Sequence, residues 1–401
     1  MGNNAKMISQ RKLLGVAGLG WMFDALDDGM LSFIIVALKQ DWNLTSEQVV
    51  WIGSINSIGM AVGAVFFGAM ADRVGRKNVF IITLLLFSIA SGLSAAVSTL
   101  TLFLILRFLI GMGLGGELPV APTLVAESVE ASKRGRVVVL LESFWAVGWI
   151  LAALISYFII PAYGWRVALL LSAVPALYAL YLRLKLPDSP KYTELEKKQR
   201  PSVLSNMKSV WKKEYSRQTL VLWILWFCVV FSYYGMFLWL PSVMVLKGFS
   251  MIQSFEYVLI MTLAQLPGYF SAAWLIEKMG RKFVLITYLI GTAVSAFFFG
   301  SAEGLALLIV SGMFLSFFNL GAWGALYAYT PEQYPTSVRG TGAGLAAGIG
   351  RIGGVLGPLL VGYLVAADTP ISSIFTIFTI AILVGAVAVA FGKETKNTVL
   401  T

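Results

Sequence analysis

The sequence contains no histidine and only one cysteine, Cys228. A single thiol cannot close an intramolecular disulfide or build a Cys-based metal site. Without an imidazole, a conventional His-containing metal site or catalytic triad is also excluded. Proton chemistry in this chain must therefore run on carboxylates. Charge is scarce as well: 12% of the 401 residues are Asp, Glu, Lys or Arg, about half the share of an ordinary soluble domain. In its place the chain is 58% hydrophobic, too apolar for a soluble fold. A membrane-spanning helix needs about 20 largely apolar residues, and twelve such segments are predicted near 13–38, 48–71, 78–98, 101–127, 137–160, 166–186, 218–246, 253–276, 283–301, 304–329, 341–366 and 371–392.

The net charge of +10 would suggest nucleic acid in a soluble protein, but its distribution points to a bilayer instead. Of the 30 Lys and Arg, 25 fall in the N-terminus, alternate loops and the C-terminus, against Lys39, Arg166 and Lys247 on the other side and Arg107 and Arg351 within spans. By the positive-inside rule both termini are expected in the cytoplasm. The first segment follows Arg11 and Lys12 without a small-residue cleavage site and is longer than a signal-peptide core, so it is expected to stay as a helix.

Residues 187–217 carry Pro187, Pro190 and Pro201 among many charges, including Lys197, Lys198, Arg200, Lys212 and Lys213. This reads as a cytoplasmic linker between six-helix bundles at 1–186 and 218–401. An internal repeat supports the division. Asp72-Arg73-Val74-Gly75-Arg76-Lys77 matches Glu277-Lys278-Met279-Gly280-Arg281-Lys282 at an offset of 205, and the same offset takes Glu127 to Glu332 and Arg134-Gly135 to Arg339-Gly340. Two loops agreeing on one offset argue for duplication.

Parallel six-helix halves with a solute site between them near the bilayer midplane characterise one transporter superfamily. The chain resembles it directly. Gly68, Asp72, Arg73, Gly75, Arg76 and Lys77 are similar to the helix 2–3 loop signature of the major facilitator superfamily. Pro187-Asp188-Ser189-Pro190-Lys191 and Lys393-Glu394-Thr395-Lys396 resemble the sequences that end each half in its sugar-porter-like branch. The resemblance implies an all-α membrane protein of twelve transmembrane helices in two pseudo-symmetric bundles. It also implies a carrier rather than an enzyme, with no cofactor and no metal, acting as a monomer in a bacterial cytoplasmic membrane.

Asp24, Asp27 and Asp28 are the most unusual residues, because they stand inside the first apolar segment. A charge at mid-bilayer costs roughly 2.5–3.5 kcal/mol on insertion scales and normally faces a cavity or a partner. Their i, i+3, i+4 spacing puts at least two on one helical face. Arg107 in the fourth segment is the expected partner, since an unpaired arginine among Phe103, Leu104, Phe108 and Leu109 would be costly. An acid whose basic partner comes and goes can load and release a proton. In proton-coupled sugar-porter-like carriers, the resemblance implies a coupling pair at the positions of Asp27 and Arg107. Asp24-Ala25-Leu26-Asp27 also resembles the first-helix signature of aromatic-acid/proton symporters, whereas Asp28 departs from it and leaves open which acid titrates. Glu142 in the fifth segment is grouped with them as a gating or relay acid.

Arg351 lies in Gly348-Ile349-Gly350-Arg351-Ile352-Gly353-Gly354, where glycines leave its planar fork reachable and suited to a carboxylate. Tyr233, Tyr234, Asn319 and Trp323 are candidate walls of a cavity. Aromatic walls with one arginine suit a flat ring bearing a carboxylate better than a sugar, which wants several amides. The acids and bases at segment ends, Asp72, Arg73, Arg76, Glu127 and Arg134 with Glu277, Arg281, Glu332 and Arg339, are expected to latch the cytoplasmic ends together.

Stretches around Gly111–Glu127, Glu142–Gly148, Phe231–Pro241, Met261–Trp274 and Tyr327–Pro335 resemble the bacterial nicotinate permeases. That resemblance implies uptake of a small aromatic monocarboxylate with protons by alternating access. The rival expectations are an organic-cation or drug carrier whose acids bind the substrate charge, and a membrane sensor that binds solute without moving it.

Overall fold

The computed structural model describes residues 10–74, 76–117, 133–184, 208–334 and 339–396. These residues are helical almost throughout, with no strand among them. The first half comprises α1 (Gln10–Asp41), α2 (Ser46–Val74), α3 (Arg76–Ser94), α4 (Leu100–Glu117), α5 (Arg134–Tyr163) and α6 (Trp165–Leu184). The second comprises α7 (Ser216–Phe237), α8 (Leu240–Leu246), α9 (Met251–Leu263), α10 (Gln265–Met279), α11 (Arg281–Ser301), α12 (Leu305–Glu332), α13 (Arg339–Ala366) and α14 (Ile371–Ala390).

The duplication read from two loops extends to the helices themselves. In the first half α2 to α5 begin at residues 46, 76, 100 and 134, and in the second their counterparts begin at 251, 281, 305 and 339, each 205 positions later.

Two of the expected spans are broken rather than continuous. The span 218–246 divides into α7 and α8, and 253–276 divides into α9 and α10. Proline explains both breaks. Its ring clashes with the carbonyl four residues earlier and it supplies no N–H. α7 ends at Phe237, four before Pro241, and α9 ends at Leu263, four before Pro267. With α7–α8 and α9–α10 each crossing once, the helices make twelve spans.

Seven helical segments among the described residues are long and apolar enough to cross a membrane, the longest being Gly135–Tyr163 and Met251–Met279. α1 is not among them because its three aspartates interrupt every apolar window. Large apolar side chains such as Ile89, Phe158, Trp274 and Val387 are exposed on the outer surface. Without water to hydrogen-bond backbone groups in lipid, helices satisfy themselves internally and turn such side chains outward.

Within the first half, α2 crosses α4 at backbone contact. A Cβ on Gly59 or Gly63 would run into the main chain at Phe108 or Met112, and one on Gly111 or Gly115 into that at Asn56 or Met60. Small residues at such a seam let helices associate by close packing where no hydrophobic drive exists. The two halves meet where α2 packs along α13, α5 along α9, α10 and α12, and α1 against α8. These contacts surround a central space lined by both halves.

Candidate functional site

α1 carries its three acids into the interior: Asp24 and Asp28 are 3% exposed and Asp27 is fully buried. Arg107 of α4 donates from Nη1 to Asp27 Oδ2 at 3.0 Å, with both side chains fully buried. Ser91 of α3 adds a hydroxyl donor to Asp27 Oδ1 at 3.2 Å. The guanidinium carbon also lies 5.4 Å from the centre of the Phe103 ring. Arg107 Nε and Nη2 have no described acceptor, so its fork is only partly engaged. Removing one partner of such a buried pair strands the other charge, at a cost of roughly 3–5 kcal/mol.

Asp28 lies in a different setting. Its neighbours include Asp27, Arg107, Arg351, Tyr233 and Tyr234. A central cavity lies between the halves. That cavity is lined by Trp21 of α1, Glu142 and Trp145 of α5, Tyr233 and Tyr234 of α7, Tyr269 of α10, Trp323 and Tyr327 of α12, and Arg351 of α13. The cavity among them has a volume of about 20 Å³, room for about one water. The space is finely divided, because rings of the two halves touch across it. Across the halves Trp21 stands 6.0 Å from Tyr327 between centroids and Trp145 Nε1 donates to Tyr233 Oη at 2.7 Å, while within the first half Trp21 stands 5.9 Å from Trp145. A flat ligand would enter by taking the place of these ring contacts.

Arg351 is 8% exposed and reaches from α13 toward α2, with Nη1 3.4 Å from Tyr234 Oη and 3.9 Å from Met60 Sδ. No described carboxylate forms an ion pair with it. Trp323 Nε1 is buried without a described acceptor. A weakly satisfied guanidinium, an idle indole N–H and a tyrosine hydroxyl thus border one aromatic space. This arrangement suits a planar anion.

Of the expected wall residues, Tyr233, Tyr234 and Trp323 line the cavity. Asn319 does not, lying buried one turn along α12 from Trp323 with Oδ1 lacking a described donor. Glu142, grouped from sequence with the relay acids, is a wall residue. Trp21, Tyr269, Ser91 and Met60 were not singled out from sequence. Trp21 was within reach of the pattern, since Trp21, Asp24 and Asp28 follow i, i+3, i+7 spacing. Tyr269, Ser91 and Met60 gave no such signal.

The charges at the basic end divide differently from the sequence expectation. Arg281 Nη1 meets Glu277 Oε2 at 2.9 Å, and its Nε meets Glu332 Oε2 at 3.0 Å. Thr395 Oγ1 also donates to Glu332, and Glu394 accepts from the backbone N–H of Arg281 and Lys282. All of these bonds lie within the second half. The described bond across the halves is made by Glu277 Oε1, which accepts from the backbone N–H of Arg136 at 3.0 Å. That N–H is in the first turn of α5, where free donors and the helix dipole favour an anion. Gly280 turns the chain between α10 and α11 at φ +92°, a conformation suited to glycine. Glu127 lies outside the described residues, as do the side chains of Asp72, Arg73, Arg76, Arg134 and Arg339.

The sequence profile of the Major Facilitator Superfamily matches residues 17–271 and 257–400. A putative niacin/nicotinamide transporter, NiaP, of Bacillus subtilis is 70% identical over 98% of this chain and 98% of its own length. The niacin transporter NiaP of Acinetobacter baylyi is 48% identical over 97% of this chain and 95% of its own. Among solved structures, the proton:xylose symporter XylE bound to 6-bromo-6-deoxy-D-glucose superimposes with a TM-score of 0.79 at 21% identity, covering 99% of this chain and 98% of that one. At that identity the likeness speaks to the fold.

Proposed function

The chain belongs to the major facilitator superfamily and is an integral membrane transporter, and on that premise we propose that it imports a small aromatic monocarboxylate, nicotinate foremost, together with protons. The observation that carries this reading is Arg351, a buried cation without an ion-paired acid among the described residues, set in the wall of an aromatic cavity. The niacin carriers that resemble the chain along nearly its whole length support the same substrate class.

In this reading the carboxylate lies against Arg351, Tyr234 Oη donates to it, and Trp323 with Tyr233 holds the ring. Proton coupling runs on Asp27. A proton on its carboxyl releases Arg107, aided by Asp24. Asp28, in reach of both arginines, links the two events, so that a freed Arg107 and a substrate-neutralised Arg351 both change what Asp28 faces. Alternating access follows a rocker motion of bundles 1–186 and 218–401 about the linker at 187–217, with both termini in the cytoplasm of a bacterium. Glu277 on the α5 N-terminus closes the cytoplasmic end while the outside is open. The first-half acids and bases at the same end act with it.

Proteoliposomes bearing an inward proton gradient are expected to accumulate labelled nicotinate or benzoate above equilibrium. Accumulation of an organic cation instead would assign the acids of α1 to substrate binding. Saturable binding without accumulation would make the protein a sensor.

A further inference from the structure

The mechanism above leaves one buried acid of the cavity without a task. Glu142 is 2% exposed and lines the cavity together with Arg351. Its Oε2 accepts from Trp21 Nε1 at 3.1 Å, while its Oε1 is buried with no described donor. No described lysine or arginine forms an ion pair with it. It is neither part of the Asp27–Arg107 pair nor part of the charge set at the basic end. A buried polar atom without a partner is costly, and one bordering a ligand space is a place for a ligand to supply that partner.

Trp21 clamps one oxygen of Glu142 and packs edge-on against Tyr327 at 6.0 Å, so the carboxyl is fixed rather than free to turn. Besides its aromatic residues, the cavity wall holds two non-aromatic polar groups, a guanidinium and a carboxyl. A ring with only a carboxylate satisfies the first. A ring that also carries a nitrogen satisfies both, because a nitrogen lone pair and a carboxyl oxygen can share a single proton. No bond to carbon forms or breaks in this contact. It counts one proton between Oε1 and the ring nitrogen, whichever atom holds it.

We propose that Glu142 is the specificity residue of the cavity and reads the ring nitrogen of a pyridine carboxylate, so that the carrier selects nitrogen-bearing aromatic acids over all-carbon ones. This inference rests on the aromatic-acid reading of the cavity and names the part of the substrate that the reading leaves open.

Equilibrium binding to purified full-length protein in detergent, with no gradient present, tests it by calorimetry with nicotinate and benzoate. Wild type is expected to bind nicotinate roughly 10- to 100-fold more tightly, the range of one hydrogen bond involving a charged group, gained only by the ring that carries a nitrogen. Glu142→Leu should lower that ratio to within about threefold of unity by weakening nicotinate while benzoate affinity stays as in wild type. Glu142→Met provides a second apolar side chain of adaptable shape if the leucine variant does not fold. A purely structural or proton-relay role for Glu142 would change both affinities together or neither, and would leave the ratio at its wild-type value. Equal binding of the two acids to wild type, or an unchanged ratio in the apolar variants, overturns the assignment of Glu142 alone. If neither acid binds wild type, it is the aromatic-acid reading of the cavity that fails.

Discussion

The two halves share one helical plan, with α2 to α5 starting 205 positions before their counterparts, yet they place their interior charge differently. The positions of Asp27 and Arg107 correspond to Ser232 and Gly312, and those of Asp28 and Glu142 to Tyr233 and Ala347. In the other direction, Arg351 corresponds to Ala146. The acid–base pair belongs to the first half only, and the arginine of the cavity wall to the second only. At the basic end the pattern is the opposite, since Glu277, Arg281 and Glu332 each have an acid or base at the matching position of the first half. The halves thus repeat one another at the rim and differ in the interior, where the buried acid–base pair stands in one and the cavity arginine in the other.

The largest departure from this division should come from Asp27→Ala. It strands Arg107 in a fully buried site and is expected to cost roughly 3–5 kcal/mol, read as a fall in thermal unfolding temperature in detergent. Asp27→Asn, nearly the same shape, should keep substrate binding and exchange but lose gradient-driven uptake in proteoliposomes. Normal accumulation by that variant would remove the proton from Asp27.

Next in size is a substitution that makes the first half resemble the second. Gly115 corresponds to Leu320, which is fully buried in α12. Gly115→Leu should push α4 away from the main chain of α2 at Met60, with a destabilisation of about 1–3 kcal/mol or more. A variant as stable as wild type would show that the glycine seam does not hold α2 to α4.

In the second half, Arg351→Ala should weaken nicotinate binding at least about 30-fold in calorimetry. It should leave the unfolding temperature near wild type, since no described ion pair depends on it. Unchanged affinity would place the anion elsewhere.

Smaller again is Glu277→Gln, which removes the anion from the α5 N-terminus while the Arg281–Glu332 pair remains. A change of about 0.3–1 kcal/mol is expected, visible by spin-label distance measurement as a shift toward states open at the basic end. The smallest effect belongs to Arg166, whose ion pair with Asp41 spans 3.6 Å with both side chains about half exposed. Arg166→Gln should change stability by at most about 1 kcal/mol and leave uptake within about twofold. A larger loss would give the outer rim a role that its geometry does not suggest.

Much of the site could be read from sequence because lipid makes anomalies conspicuous. Three aspartates in one span, one arginine in each of two others and a run of aromatic residues all stand out against an apolar background. The pairing could not be read. Asp27 and Asp28 point about 100° apart on a helix, so when one faces Arg107 and Ser91 the other does not, and only the rotation of α1 against α3 and α4 decides which. Ser91 and Met60 gave no signal, because a serine or methionine in a span is ordinary until a neighbour approaches it. At the basic end, guanidinium–carboxylate pairs join Arg281 to Glu277 and Glu332, and Glu277 also meets a backbone N–H of α5, a donor that every residue but proline carries and that no residue type advertises.

The sequence by itself determined the class of the protein, its twelve crossings and the duplication that produced it. A bilayer forces each span to satisfy its own backbone, so hydropathy and proline act locally. Tertiary structure alone decided which acid holds Arg107 and that Glu142 faces the cavity shared with Arg351. Each of these depends on which face one helix turns to another, and that is fixed by packing between residues far apart in the chain.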